Sequence, residues 1–403
     1  MNKKVNSSIE SNYRALYGKL FSALISKFGV NYVNEIEDAI QNSFYKALKT
    51  WQTNKIPDKQ ENWLFIVAKN DVINQIKRRN KSSSGILLNE EEENITEEND
   101  LRLQTILFLS ASKTASSQAK IIFILKNVFG LNIREISENT LLSQDAIYKS
   151  INRAKKNLQI EFENKQLHSI TNQAGKNEID TVEEILYAVF NIGFDSFDDK
   201  IKSIINEDLC LEALALTKLL LREHQQATTR SLLALFCFHI ARIPAKVING
   251  KLVSFLEQNQ AKWDKRLIEL GFSYLQKPEK LNRFYIEALI AAKYMTAQSY
   301  DNEHWQEIVK LYKLLIEHHN SQIIKLNLCY SLYKAQRKEE ALELMGQIEN
   351  VIPSGHIYFS LVKAELSKDT EPEKSGKIMA SVIDKMEQNI RKEYLLEKGY
   401  ITP

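Results

Sequence analysis

Glycine and proline are scarce, at 12 and 6 of 403 residues. Chains rich in β-hairpins or irregular loops need both residue types at their turns, so this scarcity argues against a sandwich, a barrel or long structureless stretches. Period-two alternation is almost missing, whereas apolar residues recur at 3.6 spacing along most of the chain, which predicts an all-α fold. Cysteine is also rare. Cys210, Cys237 and Cys329 lie far apart within apolar stripes and form no Cys-x-x-Cys pair, so they read as buried thiols rather than a disulfide framework or a zinc site. No apolar run is long enough to cross a bilayer, and Met1-Asn2-Lys3-Lys4 leads into polar residues rather than a signal segment. The chain therefore reads as cytoplasmic, without a membrane partner.

Catalytic signatures are missing as well. There is no Gly-rich phosphate loop, no Gly-x-Ser-x-Gly and no pair of histidines at ligand spacing. His318 and His319 are adjacent and so point to different helix faces, and the carboxylates of Glu90 to Glu93 fall in a segment with too few apolar residues to hold a catalytic geometry. The expectation is a protein that is not an enzyme and uses neither cofactor nor metal.

What is present is a patterned charge distribution. The net charge is only +3, yet Lys77, Arg78, Arg79 and Lys81 form one basic cluster and Lys149, Arg153, Lys155 and Lys156 another, with Glu90 to Glu93, Glu97, Glu98 and Asp100 between them. Three helices precede this acidic block, over about Ser7 to Phe28, Asn34 to Trp51 and Asn62 to Arg79, the first stopped by Gly29. The third carries the stripe Trp63, Phe65, Ile66, Ala68, Val72, Ile73 and Ile76. Residues 82–100 read as an acidic flexible linker. Helical patterning resumes from Leu101 to Val128 and closes at Gly130.

From Asn132 to Lys156 the pattern is that of a helix-turn-helix, with Ser143 as N-cap of the second helix. In that helix Ala146, Ile147, Ile151, Ala154 and Leu158 point inward, leaving Gln144, Asp145, Tyr148, Lys149, Asn152, Arg153 and Lys156 outward. Amide and basic groups near a helix N-terminus reach base edges in a major groove, and later lysines and arginines reach phosphates. A solvated amphipathic helix pair fits the periodicity alone.

Sequence resemblance narrows the choice. Gly130-Leu131, Glu135-Ile136-Ser137 and Arg153-Ala154-Lys155-Lys156-Asn157-Leu158 resemble the domain 4 helix-turn-helix of extracytoplasmic-function sigma factors of the sigma-70 family, with Leu141 where many members have the turn Gly and Ser143 where many have Pro. Upstream, Glu37-Asp38-Ala39-Ile40-Gln41-Asn42-Ser43-Phe44 is similar to the Asp-x-x-Gln-x-x-Phe signature of sigma domain 2, and Trp63-Leu64 through Ala68-Lys69-Asn70 to Lys77-Arg78-Arg79 to the helix that follows it. The resemblance implies that Glu37, Asp38 and Gln41 bind core RNA polymerase, with Phe44 in the core. It further implies that the loop Gln52 to Asn62, including Asn54, captures an unstacked base of the −10 element, and that Lys69, Asn70, Asn74, Lys77 and Arg78 hold the melted strand. Ser143, Gln144, Asp145, Tyr148, Lys149, Asn152, Arg153 and Lys156 would read the −35 element. Asn74 stands where members usually have Asp, and Lys69 where Arg is common.

Ile185 to Phe194, Trp263 to Ile268 and Leu281 to Ala292 are similar to the C-terminal extension of one subgroup of these factors, a tetratricopeptide-like domain thought to regulate or support the factor. Trp305, Ile308, Tyr312 and Leu315, then Leu326, Leu332 and Tyr333, then Ala341 and Leu344 fit paired antiparallel helices, and Leu211, Leu214, Leu219, Leu232 and Phe236 an earlier pair; a plain helical bundle fits as well. Asn249-Gly250-Lys251 is either a contact loop or a turn that uses positive φ at Gly250.

The expected organisation is sigma domain 2 over 1–81, the linker over 82–100, sigma domain 4 over 101–165 and a helical array over 180–403. The expected function is promoter-directed transcription initiation, with core RNA polymerase and promoter DNA as partners and a further protein partner for the helical array. The alternative is a helix-turn-helix regulator, carrying a tetratricopeptide-like interaction domain, that binds promoters without being a polymerase subunit. Purified chain plus core polymerase in a run-off assay discriminates them.

Overall fold

The structure is a computed structural model that describes residues 2–53, 56–80, 100–140, 142–163, 165, 167, 174–195, 204–352, 356–386 and 388–398. It is 78% helical with one two-stranded sheet, so the fold is all-α. The chain divides into two compact units, Met1–Ile185 and Leu186–Pro403. The acidic segment 82–99 lies outside the described residues.

In the first unit α1 (Asn2–Phe28), α2 (Val33–Thr53) and α3 (Gln60–Asn80) pack as a three-helix group. Gly29 ends α1 at φ 83, where an L side chain would be strained. The core is made of Tyr17, Leu20, Phe21 and Leu24 from α1, Ile36, Ala39, Ile40, Phe44 and Ala47 from α2, and Leu64, Phe65, Ala68, Val72 and Ile76 from α3. One residue of the expected α3 stripe is misplaced: Ile66 is 47% exposed. At 100° per residue the stripe set by Leu64, Phe65, Ala68, Val72 and Ile76 leaves position 66 on the far side. The loop between α2 and α3 is also shorter than Gln52 to Asn62, because helix continues through Thr53 and resumes at Gln60.

Beyond Asp100, whose carboxylate takes a fork of hydrogen bonds from Arg102, come α4 (Arg102–Ser110), α5 (Ser117–Asn127), α6 (Ile133–Thr140) and α7 (Gln144–Glu161). The single helical pattern from Leu101 to Val128 is thus two helices. The break is stabilised by polar side chains: buried Lys120 donates from Nζ to the carbonyls of Ser110 and Ser112, satisfying the open end of α4. Glu161, at the end of α7, reaches back to the same break. It accepts from Ser112 Oγ at 2.5 Å, the Lys113 amide at 2.7 Å, and the amide and hydroxyl of Thr114 at 3.1 and 2.6 Å.

The second unit continues with α8 (Lys176–Phe194), within which the division between units falls. It then runs through α9 (Glu207–His224), α10 (Ala227–Ala241), the single turn α11 (Ile243–Lys246), the hairpin β1 (Val247–Ile248) and β2 (Lys251–Leu252), and α12 (Lys265–Tyr274). After these come α13 (Arg283–Thr296), α14 (Asn302–His318), α15 (Gln322–Lys334), α16 (Lys338–Glu349), α17 (Ile357–Ser367), α18 (Pro372–Lys385) and α19 (Asn389–Glu397). Consecutive helices from α13 to α18 pack on one another, and α17 also reaches back to α15. Trp305, Ile308, Leu315, Leu326, Leu332 and Ala341 are buried in one cluster, with Tyr312, Tyr333 and Leu344 packed against it. Leu211 instead is 43% exposed, because the buried stripe of α9 runs through Leu209, Cys210, Ala213, Leu216, Thr217 and Leu220. All three cysteines are buried free thiols.

The positive-φ turn expected as one reading of Asn249-Gly250-Lys251 is present, but its flanking strands, at two residues each, are too short to show alternation in the sequence. The turn is Asn249-Gly250, both at positive φ (51 and 78), the pattern of the tight turn whose twist matches the flanking strands. Two largely half-buried polar clusters join distant elements of this unit. Asp195 accepts from Arg391 at 2.7 Å and pairs with Lys246, and Tyr187 donates to Glu287, which also holds Arg283. The Arg242 guanidinium lies 3.7 Å from the Phe255 ring centre, and burial pulls its pKa down to about 9.

Burial works to raise the pKa of Glu161, but its hydrogen bonds from Lys113, Ser112 and Thr114 outweigh that and bring it from 4.5 to about 2. A carboxyl depressed in the folded state stabilises fully above its unfolded pKa and loses that contribution as pH falls towards the folded value. Glu161→Gln is therefore expected to destabilise the first unit by about 1–3 kcal/mol at neutral pH in denaturant titration. It should also flatten the stability loss of the wild type between pH 4.5 and 2.

Candidate nucleic-acid interface

The helix-turn-helix is assembled by its own polar residues. Asn132 Oδ1 accepts from the Glu135 amide at 2.9 Å while Glu135 Oε2 accepts from the Asn132 amide at 2.8 Å, a reciprocal cap at the start of α6. Ser137 Oγ donates to the Leu142 carbonyl at 2.7 Å and closes the turn, and Ser143 Oγ accepts from the Ala146 amide at the start of α7. Leu141 lies outside the described residues.

Across α7 the division into faces is sharp. Ile147, Ile151, Ala154 and Leu158 are buried and Ala146 is half-buried, whereas Ser143, Gln144, Asp145, Tyr148, Lys149, Asn152, Arg153 and Lys156 are all exposed. Hydroxyl, amide, carboxylate, phenol and cationic groups thus share one solvent face, with Ser143, Gln144, Asp145 and Tyr148 towards the N-terminus and the cations Lys149, Arg153 and Lys156, with Asn152 among them, further along. Polar groups near a helix N-terminus can reach base edges and cations further along can reach phosphates.

On α3, Asn70, Asn74, Lys77 and Arg78 are exposed at spacings of four, three and one, one face of the helix, with Lys69 half-buried at its margin. Ile66 shares that face. Arg79 is drawn away from it into an ion pair with Glu35 of α2, at 2.7 Å. Asn54 lies outside the described residues. On α2, Asp38 and Gln41 are exposed, while Phe44 is in the core against Tyr13, with ring centres 4.5 Å apart. Glu37 is half-buried: it accepts from Lys155 of α7, which also donates to Asn34 Oδ1 at 3.3 Å. Lys155, one of the basic cluster in the sequence, is spent inside the unit.

One residue of this surface escaped sequence reasoning. Tyr45 is 57% exposed, on the face of α2 that carries Asp38, Gln41 and Asn42, with Lys49 over its ring. The signal was present in the helical period, since 38, 41, 42, 45 and 49 are in phase, but an aromatic among apolar neighbours reads first as core.

These faces define the front of the chain as a helix-turn-helix joined to a three-helix unit. Comparison with known proteins carries the assignment further. Residues 9–82 match the sigma-70 region 2 family, and residues 178–279 match a family of unknown function, DUF6596. An uncharacterized protein of Rhizobium meliloti (strain 1021) is 26% identical over 351 residues, covering 82% of this chain and 81% of its own. No solved structure is significantly similar. The region 2 match supports a sigma factor of the sigma-70 family, whose members are non-enzymatic, and with it RNA polymerase and promoter DNA as partners. Among the described residues no helix is long and apolar enough to cross a membrane.

The N-cap of α7 provides a local check. Ser143→Ala removes the acceptor for the Ala146 amide and is expected to cost about 1 kcal/mol in thermal or chemical unfolding of the first unit, with Ser143→Asp restoring most of it.

Proposed function

We propose that the chain is a dissociable initiation factor of the extracytoplasmic-function type, acting in the cytoplasm. The three-helix unit binds core RNA polymerase through the α2 face of Glu37, Asp38, Gln41 and Tyr45. It holds the opened −10 strand along Asn70, Asn74, Lys77 and Arg78, with Lys69 beside them and Asn54 as a further contact. The helix-turn-helix reads the −35 element through Ser143, Gln144, Asp145, Tyr148, Lys149, Asn152, Arg153 and Lys156. The observation that carries this reading is the pairing of a sigma-70 region 2 match over residues 9–82 with a second helix at 144–161 whose polar, cation-bearing side is wholly exposed.

The second unit is in this reading a tetratricopeptide-like array that regulates the factor or binds a protein partner. Its support is the stacking of successive helices, α13 to α17 about one shared apolar core and α18 with α19 about a second, the arrangement that lets a helical array build an extended binding surface.

The deciding experiment is run-off transcription with purified chain and core polymerase on a library of promoter fragments: initiation at defined start sites is expected, and none sinks the proposal. Lys149→Ala with Arg153→Ala should abolish initiation that depends on the −35 element while core binding persists, and should lower the salt slope of DNA binding by about 2. Tyr45→Ala should weaken core binding by about 1–2 kcal/mol, read by competition with a labelled factor, with no change in melting temperature.

A further inference from the structure

Where α8 and α10 end, the second unit gathers more positive than negative charge. Lys246 and Arg391 share the Asp195 carboxylate. Arg242, half-buried at the end of α10, pairs with no acidic side chain among the described residues. One face of its guanidinium is covered by the Phe255 ring, 3.7 Å from the ring centre. Its Nε donates to Gln258 Oε1 only at 3.5 Å, and that oxygen also accepts from Trp263 Nε1 at 3.3 Å. The two Nη groups form the fork that matches a carboxylate, and among the described residues nothing accepts from them.

A second unmet group stands one turn earlier on α10. The Nδ1 atom of His239 is shut off from solvent and has no hydrogen-bond partner, which calls for an explanation. The His239 ring centre lies 5.1 Å from that of Phe194, and the Arg242 guanidinium 5.9 Å from the same ring, so both groups border Phe194. Burial, then Arg242 and Lys246, hold the His239 pKa down to about 3. At neutral pH the imidazole is therefore uncharged and can carry its proton on Nδ1 as a donor. Both residues keep part of their surface in solvent, so the pair opens outward with Nδ1 at its inner end. A group with one negative charge spread over two oxygens answers both. A phosphate dianion needs more donors, and Lys246 is already held by Asp195 and the Phe194 carbonyl. The walls are aromatic, with Tyr294 and Tyr300 around Phe255 at 4.7 and 6.1 Å between ring centres, which suits an apolar body behind the charge.

We propose that His239, Arg242 and the rings of Phe194 and Phe255 form a binding site for a small organic carboxylate, whose oxygens take the Arg242 fork and the His239 Nδ1 proton while its apolar body lies against the rings. The site is contained in the second unit and stands or falls apart from the initiation reading. Where that reading holds, the site gives the helical array a small-molecule signal to answer.

The test is calorimetry and thermal unfolding of the full chain with benzoate and butyrate as probes, against the uncharged isostere benzamide and inorganic phosphate. At least one of the two carboxylates is expected to bind saturably and to raise the melting temperature by at least about 4 °C at about a hundredfold excess over its Kd. Benzamide and phosphate should bind at least about tenfold more weakly. Arg242→Met keeps the stem and removes the charge. It should abolish the shift and, because an unmet cation is gone, leave the melting temperature of the free chain unchanged or higher. Arg242→Lys, which keeps the charge without the fork, should weaken binding about tenfold and serves if the Met variant does not fold. In isotope-labelled chain the bound carboxylate should move the His239 imidazole nitrogen resonances, identified by their loss in His239→Gln. Saturable carboxylate binding that is lost in Arg242→Met supports the site. No binding of either carboxylate, benzamide or phosphate binding as tightly, or a full shift in the Arg242 variants overturns it, and run-off transcription judges the initiation reading separately.

Discussion

A carboxylate that is 2% exposed must have its charge met, and Glu135 meets it on Arg14, 121 positions earlier in the chain. The same carboxylate accepts the Asn132 amide, so one group both starts α6 and fixes where α6 lies against α1. An ion buried to this degree strongly penalises loss of its partner, by about 3–5 kcal/mol, because the remaining charge has no water to replace it. The neighbouring fit is equally exacting: Gly18 is the absence of a side chain that lets α1 approach the end of α5, and Phe21 and Phe123 fill the space beside it. The orientation of the helix-turn-helix within the first unit follows from these few contacts.

The Glu135-Ile136-Ser137 run of the helix-turn-helix therefore has a structural explanation that owes nothing to DNA. Glu135 caps and pairs, Ile136 is buried, and Ser137 closes the turn. The groups left for nucleic acid are those on α7 that no internal contact consumes, and Lys155 is separated from them by its engagement with Glu37. Charge in a sequence cluster and charge on a binding face are different quantities: of Lys149, Arg153, Lys155 and Lys156, three face solvent and one holds the unit together.

In the second unit the polar core does comparable positioning. Asp195, at the end of α8, gathers Lys246 and Arg391 from elements 51 and 196 positions away, which ties the first helix, the turn before the hairpin and the last helix together. Arg242, stacked on Phe255, carries the chain out of α10 into that turn. Apolar burial alone would let successive helices slide along one another, whereas paired charges at these joints specify one register.

The local instructions were legible in the sequence. Periodicity placed the helices because amphipathic stripes must face a core, Gly29 ended α1 because only glycine tolerates its φ, and Ser143 marked the start of α7 because a hydroxyl there answers an open amide. The outward set on α7 followed from the same 3.6-residue geometry. Stripe membership near the margin was harder: Ile66 and Leu211 are apolar, yet the phase of their neighbours turns them outward, and phase is decided by which helices pack where. The break between α4 and α5 depends on Lys120 and Glu161 meeting carbonyls and amides from elsewhere, and the role of Lys155 depends on Glu37, 118 positions away. Sequence determines propensity, period and caps, which are short-range; which charges are spent on one another is a matter of long-range proximity, and only the tertiary structure decided it.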